Sequence, residues 1–394
     1  MSNWWRFGSR PRRPFARRSF LKQRAPRRGQ VHPERMQMPV WEWLIREGIS
    51  AYEINALMRG PDPIEAGPGF SFMRFGCSET TLPDGRVVHI GGEHEDHYDP
   101  DFYIYNDVIV RGPGDEIEIF GYPEAVFPPT DMHSATLVDE RILIVGCLGY
   151  PKQRRFGHTP VYALDPRDWR IQPRHCSGDS PGWIWKHHAT LAEDGSTLRI
   201  ERGTVSVAAQ NGEMHTDNID LWELCTQSWR WTRQTTLPWQ QWRVRRIDQQ
   251  ALHLWQMSMA AFEVEHPALR AHREADPESR KWSKKFGIEL DPAIALANEG
   301  LSFEPGLWNE LYAVPEGATL CEGDSDGYPE LEFEWQGARV RVRDDNFSME
   351  VFIVGDLDQE LARGFADTLA SRLSALHGAP CEAHCERSAE TEPR

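Results

Sequence analysis

Imidazoles and carboxylates crowd one stretch of this chain, His89-Ile-Gly-Gly-Glu-His-Glu-Asp-His-Tyr-Asp-Pro-Asp101. Such side chains are the ligands of Zn or non-haem Fe sites. His94, His97 and Asp99 are the candidate ligands. The His-x-x-His spacing sits on a loop, however, and lacks the fixed geometry that a helix gives two histidines one turn apart. The preferred reading is a solvated acidic loop. A second chemical stretch is basic, Gly149-Tyr-Pro-Lys-Gln-Arg-Arg-Phe156. Arginine beside aromatic rings is the composition of interface hot spots. Tyr150, Lys152, Arg154, Arg155 and Phe156 are therefore the candidate binding residues, against the alternative that this loop pairs internally with the acidic one.

Other candidates carry less. Trp183 and Trp185 would share one face of a strand while His187 and His188 point to opposite faces, so those two imidazoles cannot hold one metal from a regular strand. Asp324-Ser-Asp-Gly327 has fragments of a calcium loop without its spacing or terminal glutamate. Cys381 and Cys385, with His377 and His384, have the residue types of a metal cluster but lie in a polar end. G-x-S-x-G, a P-loop and a dinucleotide fingerprint after a strand are all absent. No nucleophile stands beside a base in the sequence, so no cofactor is expected and an enzyme is the lesser reading.

The elements that must position these loops repeat. Thr81-Leu82, Thr136-Leu137 and Thr190-Leu191 are spaced by 55 and then 54 residues. Each opens a strand, a polar turn, a second strand and then glycine. Asp84-Gly85 and Asp194-Gly195 are turn pairs, because a tight hairpin needs positive φ. The second halves recur too: Tyr162 and Trp169 are seven apart, as are Trp222 and Trp229. A four-stranded unit cannot bury both faces alone, so Trp169 and Trp222 are expected between successive units.

Gly91-Gly92, Gly146 (followed by Cys147), Tyr162 with Trp169 and Trp222 with Trp229 resemble the kelch repeat, over about residues 70 to 235. The resemblance implies a mainly β fold, a kelch-like propeller with each repeat a four-stranded blade, here partial or with few blades. It also implies a protein-binding role, and loops after the second strands that emerge at one end.

Composition bounds the rest. Seven scattered cysteines without C-x-x-C suit reduced thiols and a cytoplasmic location. No apolar run is long enough for a membrane span. The net charge of −16 hides a split: residues 1–37 balance at +10, which leaves −26 for the remainder. An acidic body repels nucleic acid except through the basic arm, and favours a basic protein partner.

In chain order, residues 1–37 read as a disordered basic arm or a mis-called start, dispensable for stability. Residues 38–69 read as a short helical segment with Ser50 as a cap. Residues 70–257 form the kelch-like domain, with Trp242 to Met257 as a hairpin and degenerate fourth unit. Residues 258–306 read as a charged helical linker. Residues 307–378 form a small α+β domain of three strands and a helix, and 379–394 a disordered tail. The function expected is a non-catalytic protein-recognition scaffold of kelch type, immunity-like in its acidic charge. The alternative is a metal-dependent enzyme built on His89 to Asp101.

Overall fold

A computed structural model describes residues 15–95, 97, 99–209, 212–235, 237–287, 289–321, 330–344 and 346–388. Asp324 to Gly327 lie outside the described residues. The chain divides into two compact bodies, Met1–Thr236 and Leu237–Arg394.

The first body begins with α1 (Arg17–Gln23), β1 (Glu34–Arg35), α2 (Pro39–Glu47), α3 (Ala51–Met58) and α4 (Pro63–Ala66). Gly48 ends α2 in the left-handed region and bonds back to Leu44. Ser50 then starts α3 with a capping box, its hydroxyl accepting from Glu53 N while the Glu53 carboxylate accepts from Ser50 N. Phe20, Met36, Trp41, Leu44, Ile45, Ile54 and Met58 pack into one core with Ile109 and Ile119. Residues 15–37 are thus ordered, against the expectation of a disordered arm. Phe20 and Met36 are each 2% exposed, and β1 pairs with β7. The arginines, which dominated the composition, have partners: Arg17 donates to Arg59 O, Arg24 to Ala66 O and Gly67 O, and Arg27, Arg28 and Arg35 pair with Glu34, Glu124 and Glu118. Average composition misses two apolar anchors placed where the fold needs them.

Three four-stranded antiparallel meanders follow. Sheet I contains β2 (Ser78–Thr81), β3 (Val87–Ile90), β6 (Val108–Arg111) and β7 (Ile117–Gly121), with β1 on its edge; β4 (Glu93–His94) and β5 (Tyr103–Ile104) form a ribbon in its second loop. Sheet II contains β8 (Ser134–Val138), β9 (Arg141–Val145), β10 (Val161–Asp165) and β11 (Arg170–Pro173). Next come β12 (Trp183–Trp185), β13 (His188–Leu191), β14 (Thr197–Glu201), β15 (Thr204–Ala209), β16 (Gly212–Asp217), β17 (Trp222–Cys225) and β18 (Arg230–Arg233). Of these β13, β14, β17 and β18 make sheet III, and β12, β15 and β16 a smaller sheet.

The sheets stack face to face. One face of sheet I lies on the helices. Its other face, through Val88, Ile90 and Phe120, packs on Ile142, Leu164 and Trp169 of sheet II. Val145 and Val161 of sheet II pack on Leu198, Ile200, Trp222 and Leu224 of sheet III. Trp169 stacks on Phe120 at 5.2 Å, and both Trp169 and Trp222 are buried at sheet boundaries. The far face of sheet III is polar, with Thr190, Arg199, Glu223 and Thr232 in register across it. A helical cap at one end and a polar outer face at the other are what the end units of a stack need. Among the described residues the sheets form no closed ring.

Backbone steps repeat with the sheets. Gly76, Met132 and Lys186 each have φ between 51° and 59°, and each lies just before the first strand of its sheet. Met132 N donates to Gly76 O and Lys186 N to Met132 O, both at 2.8 Å. Gly91 and Gly146 allow the chain to lie against the segment that leads into the next sheet: a Cβ would strike Thr130 O and Ile184 O respectively.

The second body has β19 (Trp239–Arg246), α5 (Leu254–Glu265), α6 (Pro267–Ala275), α7 (Pro277–Phe286), α8 (Pro292–Asn298), α9 (Pro305–Leu311), β20 (Thr319–Leu320), β21 (Glu330–Trp335), β22 (Ala338–Asp344), β23 (Ser348–Val354), α10 (Gln359–His377) and β24 (Cys381–Ser388). They make one six-stranded sheet, ordered β20-β21-β22-β23-β19-β24. Three expectations are corrected here. The division falls after residue 236, because β19 pairs with β23 and β24 and is not part of a fourth repeat. The helices from 254 onward are not a linker, since Leu254, Met257, Leu296, Trp308 and Leu311 are buried in this body's core. Residues 381–388 are a strand, with Cys381, Ala383 and Cys385 packed on that core. Among the described residues no helix is long and apolar enough to cross a membrane.

Candidate functional site

Loops between the second and third strands of the three sheets meet at one end of the first body. The loop of sheet I carries β4 and β5, that of sheet II runs from Gly146 to Pro160, and that of sheet III carries β15 and β16. Tyr150 binds the first loop to the second: its hydroxyl accepts from Ile104 N at 2.9 Å, and its ring meets Phe102 edge-on. Arg154 binds the second to the third. Its guanidinium donates to Leu148 O and Gly149 O, both at 3.0 Å, and to the Glu213 carboxylate on β16. Trp183 adds an indole N–H to Leu148 O at 3.0 Å.

A carboxyl pair lies beneath them. Asp131 is fully buried and accepts from Gly149 N at 2.6 Å. Burial pushes its carboxyl up; the Gly149 N–H, a hydrogen bond with Glu93 and the nearby Arg154 charge oppose that. Deeper still, Arg74 grips Asp107 with two hydrogen bonds of 2.5 and 3.0 Å, donates to Ser71 O and Gly91 O, and lies 3.4 Å over the Tyr105 ring.

The binding candidates therefore separate into two roles. Lys152, Arg155 and Phe156 are exposed. Tyr150 is half-buried and Arg154's side chain is 7% exposed. The expectation that Arg154 offers its charge to a partner is corrected: its valences are used inside the loop and on Glu213. The acidic and basic loops do lie side by side, yet the carboxylate that takes Arg154 comes from the third loop.

The metal candidates are not brought together as ligands. His94 is buried, its Nε2 3.1 Å from a Glu95 oxygen, and burial lowers its pKa. His97 is exposed and Asp99 half-buried. Among the described residues no group of three or more His, Cys, Asp or Glu is placed to hold a metal ion. His94 and Asp101 instead edge a cavity walled by Phe20, Leu44, Ile54 and Phe70, with Tyr52 O–H donating to Asp101 at 3.1 Å. Its interior has room for about one water molecule. The Cys381, Cys385, His377 and His384 set makes no such group either.

Two serine–histidine pairs escaped the sequence reading. Ser78 Oγ lies 2.8 Å from His133 Nε2, and Ser134 Oγ 2.8 Å from His187 Nε2. Aligning Gly76-Cys-Ser, Met132-His-Ser and Lys186-His-His would have found them. The repeat equivalent of His133 is therefore His187, while exposed His188 stands in the serine position. The spacing is that of a nucleophile and its base, but burial drives both imidazoles down to about 3. Each pair links the first strand of one sheet to the residue just before the first strand of the next, so the contacts rivet successive sheets together.

No protein-family model and no curated protein matches the chain. Among solved structures, that of YjhT aligns with 41% of this chain and 70% of its own, at 9% identity and a TM-score of 0.26, a likeness that carries no argument.

Proposed function

We propose that the protein is a non-catalytic recognition scaffold of kelch type, an open arc of three blade-like sheets whose loop end binds another protein. One observation supports this most: the second loops of all three sheets are tied in series by Tyr150 to Ile104 and by Arg154 to Glu213. Such ties give a loop surface a fixed shape before binding, which lowers the ordering cost of association. Lys152, Arg155 and Phe156 stand exposed on that surface. The polar groups that resemble catalytic ones have structural partners. All seven cysteines are free, which suits the cytoplasm as the place of action.

The test is capture of a partner by the full chain, compared with a Lys152→Glu, Arg155→Glu, Phe156→Ser variant. The expected result is loss of the partner at an unchanged melting temperature. A variant that keeps the same partner at the same affinity contradicts the proposal.

A further inference from the structure

Net charge points to a basic partner, and the loop end points the other way. Four carboxylates at this end are engaged within the protein. Glu93 is bonded to Asp131, Asp131 also to Gly149 N, Glu213 to Arg154 and Asp101 to Tyr52. The cations are arranged oppositely. Lys152 and Arg155 are exposed and have no carboxylate partner among the described residues. Phe156, next to Arg155, is 40% exposed. His158 and His175 are exposed too, and burial, then the neighbouring Arg155 charge, lowers the His158 pKa. An aromatic ring among cations is solvated poorly and gains most when an apolar group covers it and carboxylates reach the flanking charges.

We infer that the Lys152 to His158 turn takes an acidic peptide segment of the partner, one with an apolar side chain set between carboxylates. This rests on the recognition reading of the same surface and names the chemistry of what it recognises. The segment approaches a molecule of net charge −16. Attraction is therefore local and the rest of the surface repels, so binding is confined to this turn and weakens with salt. A phosphate backbone is the less suited anion. It spreads its charge along its length and would meet that repulsion beyond two fixed cations.

The experiment is selection of a displayed random-peptide library on the full chain, followed by fluorescence anisotropy with the selected peptides. The same peptides are measured on the Lys152→Glu, Arg155→Glu variant, and a single-stranded oligonucleotide of equal length on the wild type. The expected result is enrichment of peptides rich in Asp and Glu around an apolar residue, with affinity falling at least about tenfold in the variant. Enriched peptides that are neutral or basic, and whose binding is lost in a Phe156→Ser variant, overturn the acidic-ligand inference and leave the recognition reading standing. An oligonucleotide that binds as tightly as the best peptide also overturns it. A library from which the full chain enriches nothing overturns both.

Discussion

The buried junction histidines make acid sensitivity a quantitative prediction. His133 and His187 sit between successive sheets with Nε2 on a serine and Nδ1 without a hydrogen-bond partner among the described residues. Desolvation is the cause that dominates at His133; at His187 it is joined by the neighbouring charges of His133 and His188. Both imidazoles are held down to about 3 in the fold, against about 6.5 in an unfolded chain. The unfolded state then binds protons that the folded state refuses, so stability is present above 6.5 and is lost as pH falls toward 3. At about 1.4 kcal/mol per pH unit, each histidine costs roughly 2 kcal/mol at pH 5, and the two together about 4. That is a large part of a typical total of about 5–15 kcal/mol. The assay is urea unfolding of the full chain between pH 7.5 and pH 5, with and without His133→Asn and His187→Asn. The double variant is expected to start less stable and to lose about 4 kcal/mol less over that range. Proton NMR of the wild type supplies a check that needs no variant: neither ring should titrate above pH 4. Rings that titrate near 6.5, or equal pH slopes in both proteins, refute the reasoning.

Further outcomes follow from burial. Arg74→Ala should cost about 3–5 kcal/mol, since it strands Asp107 in the interior, and Arg74→Lys should restore little because the two-pronged grip is lost; thermal unfolding reads both. Arg154→Glu should cost about 3 kcal/mol or more by setting two carboxylates together, whereas Arg155→Glu should stay within about 0.5 kcal/mol; equal effects would contradict the separation of their roles. Removing residues 1–37 should lower the melting temperature by several degrees, because Phe20, Met36 and the β1 edge pairing go with them. Trp169→Ala should cost about 3–5 kcal/mol by opening a cavity against Phe120, seen as an earlier urea midpoint.

Local signals were the readable ones. Asp84-Gly85 and Asp194-Gly195 announce hairpins through residues that accept positive φ, and both glycines have it. The recurring Thr-Leu steps mark strands at sheet edges, and Leu331 to Arg343 alternates as the hairpin it forms. What failed depends on partners far along the chain. The polar alternation of Cys381 to Ser388 becomes a strand only because β19, well over a hundred residues earlier, offers an edge. Residues 15–37 of the basic arm are ordered because Gly121 and Phe120 pair with Glu34 and Arg35. Ala251 to Met257 is a short apolar run that suits strand or helix equally by period, and packing against Leu296 and Trp308 decides for helix. In the site, exposure on a loop was legible for Lys152, Arg155 and Phe156. The inward turn of Arg154 was not, because Glu213 lies 59 residues away on a hairpin that the repeat pattern does not contain. Asp131 follows a run of prolines with no chemical signature, and its role comes only from the junction that buries it.

Amide hydrogen exchange of the full chain, free and bound to its captured partner, tests the central claim most directly. Exchange should slow together in the β4–β5 ribbon, in residues 148–158 and in the β15–β16 hairpin, with the polar far face of sheet III unchanged. Protection confined to the second body, or to the opposite loops at Asp84-Gly85 and Asp194-Gly195, would contradict it.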